Sequence, residues 1–256
     1  MNMMYNYGNK INILNYNMIC EEIKMQIDNF IDINNEVNKN YIDFSIEPKI
    51  KTPVGEILIN LYLDNEMFSI KNFNIFKYKS GYLFHCESKM FLVQLLIIEE
   101  DKQVTDDIRV DGRYSIKWRI KAYDEIKNLK FETKINEKNR WKDAYSDSGE
   151  WMAAKTWDNG ERMITIATED EDSLEGRARN DNWIPIRLKD IFIEPKNGYI
   201  IVYTPEYTDD GMIVEFPNLL KDEKVLVEFG VSWYQYKNDN EFEFIKTWYG
   251  ADPSLL

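Results

Sequence analysis

The amino-acid sequence predicts a mainly β protein of antiparallel, hairpin-rich sheets, arranged as two β-sandwich-like domains with one N-terminal helix. Three observations carry this. Apolar and polar residues alternate with a period of two in many segments after residue 41. Five turn pairs, Ser80-Gly81, Asp111-Gly112, Asn159-Gly160, Asn197-Gly198 and Asp210-Gly211, sit between such runs, where glycine would supply the positive φ of tight hairpins. Repeated helices between strands, the mark of a parallel βαβ fold, are missing.

The elements follow in order. In Met18–Ile33 the apolar residues Ile19, Ile23, Ile27, Phe30 and Ile31 recur at helical spacing, with Asn17 placed to cap and Glu21 and Glu22 near the positive end of the dipole. The Asn-rich stretch Asn34–Asn40 ends that pattern. Ile42, Phe44 and Ile46 then alternate with Asp43 and Ser45, and Ile57, Ile59, Leu61 and Leu63 follow Gly55. Tyr114, Ile116, Trp118, Ile120 and Ala122 interleave with Ser115, Lys117, Arg119 and Lys121, which predicts one face on a core and one in water. Further strands are expected at Leu129–Ile135, Met163–Thr168 and Val225–Trp233, and a last one at Phe242, Phe244 and Trp248–Tyr249.

The polar segment Asn136–Glu150 has neither period and falls where the charge balance changes. It is the expected boundary between residues 1–138, an N-terminal helix plus a near-neutral β domain, and residues 139–256, an acidic, Trp-rich β domain. The other reading of this segment is a long surface loop in one large domain. Residues 1–140 hold 20 Lys and Arg against 21 Asp and Glu, whereas residues 141–256 hold 12 against 24, so 12 − 24 = −12 of the formal −13 lies in the second half. Such a field disfavours contact with phosphates and steers basic partners.

Two cysteines, Cys20 and Cys86, are too few for a disulfide framework or a closed four-ligand zinc site. The first 17 residues lack the pattern of a secretory signal. The longest apolar run, Met90–Ile98, has nine residues, far below the roughly 20 that span a bilayer. A cytoplasmic protein with no membrane partner is expected. No phosphate-binding glycine loop, dinucleotide fingerprint or nucleophile elbow occurs. The single histidine, His85, lies beside Cys86 in a predicted strand, so the two point to opposite faces and form no local dyad. No catalytic residue, metal site or cofactor is expected.

The candidate site is a partner-binding one. Glu169, Asp170, Glu171 and Asp172, followed by Glu175, form the densest acidic run; its mutual repulsion favours a basic partner, and the other reading is a solvated loop. Trp151, Trp157 and Trp183 flank it in sequence and would be binding anchors if exposed, or core residues if not. The expectation is a non-catalytic binding protein, an acidic inhibitor or an immunity or anti-defence protein that captures a basic protein. A β-sandwich glycan-binding module is the alternative, and a carboxylate-based hydrolase ranks last, since 45 acidic residues offer pairs by chance.

Overall fold

A computed structural model describes residues 30–31, 33, 49–53, 55–69, 72–136, 141–149, 151–180, 183–188, 205–235 and 244–256. These described residues form fourteen strands: β1 (Lys49–Thr52), β2 (Gly55–Leu63), β3 (Glu66–Met67), β4 (Asn74–Tyr78), β5 (Gly81–Glu87), β6 (Phe91–Glu99), β7 (Gly112–Ala122), β8 (Ile126–Ile135), β9 (Lys142–Gly149), β10 (Met152–Asp158), β11 (Arg162–Glu169), β12 (Glu206–Tyr207), β13 (Gly211–Leu219) and β14 (Lys224–Gln235). Two α-helices join them, α1 (Glu171–Arg179) and α2 (Phe244–Ala251), with short 3-10 turns at Ile186–Leu188 and Pro253–Leu255.

All described strand pairs within these sheets are antiparallel. One sheet has six strands in the order β1-β2-β8-β13-β12, with β3 on β2, and the other eight in the order β4-β5-β6-β7-β14-β11-β10-β9. Their inner faces share one core. Trp118 of β7 and Phe131 of β8 are both essentially buried, and their rings lie 6.0 Å apart between the sheets.

The boundary expected at residue 138/139 does not separate these sheets. β7 pairs with β14, and β8 with β13, so strands from either side are hydrogen-bonded neighbours in both. Residues Asp32–Leu256 form one compact unit. Most of the polar segment read as the boundary is strand β9, whose eight residues are all exposed. An edge strand with little to bury carries no apolar alternation, which is why it reads as loop.

The expected helix Met18–Ile33 lies outside the described residues except at its end, where Phe30, Ile31 and Ile33 are not helical. The strand at Ile42–Ile46 and the turn Asn197-Gly198 also lie outside them. Both described α-helices stand in the second half instead. The expected last strand is helix α2. Phe244 and Trp248 are four apart and their rings lie 6.0 Å from each other, the spacing of a helical face. The strand reading came from Phe242 and Phe244 with the Trp248–Tyr249 pair, too few residues to separate the two periods. No described helix is long and apolar enough to cross a membrane.

The outer face of the larger sheet is not wet as the alternation in β7 predicts. Arg119 is fully buried, and Lys117 is buried with its Nζ 2.7 Å from Glu228 Oε1 of β14. Alongside, α2 lies over β11 and β14: Thr165 Oγ1 is 2.8 Å from Thr247 Oγ1, and Ser232 donates to the Thr247 carbonyl. A paired charge inside resembles a solvated charge in sequence, because both keep the polar period.

Candidate functional site

The acidic run is not a loop. Its first member, Glu169, ends β11 and is buried; it accepts from Ser173 at 3.0 Å and is ion-paired with Arg177 of α1. Burial pushes the Glu169 carboxyl up against the opposing pull of Arg177. Asp170 is buried as the N-cap of α1 and accepts from the Ser173 amide at 2.9 Å. Glu171 and Asp172 occupy the first turn, where negative charge suits the dipole. Glu175 pairs with Arg179 one turn on. Of the five carboxylates singled out in sequence, two are therefore structural, and Asp172 is exposed. The Asp170-x-x-Ser173 start, followed by Leu174, and the closing Arg177 and Arg179 were the available helix signals.

The three tryptophans divide. Trp157 has no exposed surface, and its indole donates to the Asp209 carbonyl at 3.1 Å. Trp183 is buried, with Lys224 Nζ 4.5 Å from its ring centroid. Trp151 is 62% exposed. It stands in the β9–β10 connection at a φ of +75°, an uncommon conformation for a bulky residue that costs about 1–2 kcal/mol. Its ring lies near Gly176 of α1, where an added Cβ would meet it at 3.6 Å. Structure thus places the Trp151 ring near Gly176 of α1, and removes Trp157 and Trp183 to the core.

Next to this hairpin lies a cavity of about 360 Å³. β9 contributes Asp147, Ser148 and Gly149 to it, and β10 contributes Met152. α2 contributes Ile245, Trp248 and Tyr249, and Asp252 follows the helix. Trp151 stands on the turn between two of these lining residues. Asp147 is held in place, accepting from Tyr145 Oη at 3.1 Å and from the Ser148 amide at 2.9 Å. Ser148 Oγ donates to Glu171 Oε2 at 3.2 Å, which ties the wall to α1. Tyr145 packs on α2, its ring 4.9 Å from Phe244 and 5.0 Å from Trp248. Tyr207 Oη donates to the Asp147 carbonyl at 2.5 Å, and burial together with the Asp147 charge pushes its hydroxyl up to about 12. Asp252 caps the last 3-10 turn through the Ser254 amide at 2.8 Å.

Sequence reasoning missed this cavity. Asp147 and Asp252 are far apart along the chain and meet only through packing of α2 on the larger sheet. The one local signal was helical spacing: Ile245, Trp248, Tyr249 and Asp252 are three or four apart, and a helix would have placed them on one side.

His85 of β5 is buried, its Nδ1 3.2 Å from Gln94 Nε2, and burial lowers its basicity. Cys86 belongs to the core between the sheets, and burial pushes its thiol up. The strand thus directs the two apart. Cys20 lies outside the described residues.

No protein-family model matches the chain, and no curated protein matches it. Among solved structures, a putative kojibiose phosphorylase from human microbiome matches with a TM-score of 0.41 at 7% identity, over 75% of this chain and 24% of that one. The chain spans about a quarter of that protein's length, and the likeness is too low to carry chemistry across.

Proposed function

We propose that the protein is a non-catalytic binding protein that captures a basic protein partner, as an inhibitor or an immunity or anti-defence protein does. Trp151 carries this reading. A large aromatic side chain that is 62% exposed and held at positive φ is disfavoured in the isolated molecule, and such outliers concentrate at functional sites. Trp is also the residue type most enriched at binding hot spots. Asp147 on the same hairpin, and Glu171 and Asp172 on α1, whose Gly176 the Trp151 ring lies near, add negative charge in the half of the chain that holds −12 of the net charge. Encounter with a basic surface would be steered by that field, and the indole would anchor the complex once formed.

The test is affinity capture from the native cell with the unchanged protein and with Trp151→Ala. The proposal expects a basic protein to be retained by the first and largely lost by the second, while both melt at the same temperature. Retention of the same partner by both would remove Trp151 as the anchor.

A glycan-binding module is the second reading. Trp248 lines the cavity, and its indole Nε1 is buried with no hydrogen-bond acceptor among the described residues, a role that a sugar hydroxyl would fill. Saturable binding of a neutral oligosaccharide, with no basic protein captured, would favour it.

A further inference from the structure

We infer that the cavity between the β9–β10 hairpin and α2 is a cation site that takes a lysine or arginine side chain of the partner. The inference rests on the basic-partner reading and narrows it to one contact. Three acids of this sheet have a cation within ion-pair distance: Glu169 has Arg177, Glu228 has Lys117, and Asp143 has Lys155. Asp147 and Asp252 line the cavity, and among the described residues neither has a Lys or Arg within ion-pair distance; Arg113, which feels the Asp252 charge from beyond that distance, donates to the Leu255 carbonyl.

Both carboxylates are already oriented. Asp147 is fixed by Tyr145 and the Ser148 amide, and Asp252 by its cap on Ser254. A cation arriving here meets placed charges, so little ordering is lost on binding. The remaining walls fit the rest of such a side chain. Trp248 and Tyr249 contribute aromatic rings to the wall, a residue type whose quadrupole attracts a cation. Met152 and Ile245 offer apolar surface for the methylene stem. A cavity of about 360 Å³ is at the small end of ligand sites. A bare metal ion would have no use for the apolar wall, and a neutral sugar would leave both carboxylates uncompensated. An amphipathic cation uses all of it.

The probe is acetylated tetralysine amide, titrated into ¹⁵N-labelled protein while the tryptophan indole resonances are followed. The Trp248 signal is identified by its loss in Trp248→Phe. Maltotetraose serves as the neutral comparison. The Trp248 resonance should shift saturably with tetralysine and stay still with maltotetraose. Asp147→Asn and Asp252→Asn, which keep the local hydrogen-bonding shape, should each weaken that binding about fivefold, with unchanged melting temperatures. Tetralysine that binds while Trp248 stays silent, or binds the two Asn variants equally well, overturns the site but leaves the basic-partner reading standing. A Trp248 shift with maltotetraose alone overturns the cation assignment in favour of a glycan. No response to tetralysine anywhere, together with no basic protein captured from the cell, overturns both.

Discussion

Arg177 of α1 donates to Glu169 at the end of β11, and the same guanidinium donates to the Leu226 carbonyl of β14 at 2.8 Å. One side chain therefore ties the helix to two neighbouring strands. Removing it would strand a buried carboxylate. Arg177→Ala should cost about 3 kcal/mol of stability, the scale of breaking one partner out of a buried pair. Arg179, 54% exposed in its side chain and paired with Glu175 along the helix, should cost under about 0.5 kcal/mol when changed to Ala. Urea denaturation of both variants checks this, and similar losses for the two would contradict the buried role of Arg177.

Trp157 and Trp151 should separate stability from binding. Trp157→Ala empties a fully buried site and should destabilise by about 4 kcal/mol. Trp151→Ala should change stability by no more than about 0.5 kcal/mol, as is usual for an exposed position. Thermal melts measured beside partner capture would show the two effects in different variants. A large loss of stability at Trp151 would mean that its indole is held by packing.

How far the sequence revealed the fold depends on which face each residue serves. β2, β7, β8, β11 and β14 were legible because their alternating apolar residues build the shared core, as Ile116, Trp118 and Ile120 do. The turn pairs at Gly81, Asn159-Gly160 and Asp210-Gly211 do join paired strands, but not for one reason. Gly160 has the expected positive φ of +89°. At Gly81 an added Cβ would meet the Ile97 carbonyl oxygen at 1.8 Å, so space excludes a side chain there, and the positive φ of that turn falls on Lys79. β9 was illegible, since an exposed edge strand puts no apolar alternation into the core. The buried Lys117 and Arg119 kept a polar period that reads as solvent. In the site, Trp151 was named from composition, but its exposure comes from tertiary structure, as does the meeting of Asp147 with Asp252.

Glu132 of β8 gives a pH dependence. Burial alone would push its carboxyl up, but hydrogen bonds from Asn60 at 2.7 Å and Tyr62 at 3.1 Å, with Lys134 beside it at 3.1 Å, outweigh burial and hold it below the ordinary glutamate range. With the folded value depressed, the unfolded chain binds the proton more readily. The stabilisation is therefore present above the ordinary glutamate value and lost as pH falls through the folded value. Glu132→Gln should be less stable than the unchanged protein near neutral pH, with the gap closing in acid. A gap that widens on acidification in paired urea melts would reverse the assigned sign.

The central claim is capture of a basic partner by an acidic surface anchored on Trp151. Stopped-flow association with the captured partner, across a series of salt concentrations, tests it most directly. The on-rate should fall steeply with salt, because steering acts over about 10 Å at 0.1 M salt, and Trp151→Ala should dissociate faster at every concentration. An on-rate indifferent to salt, with an off-rate unchanged by Trp151→Ala, would contradict it.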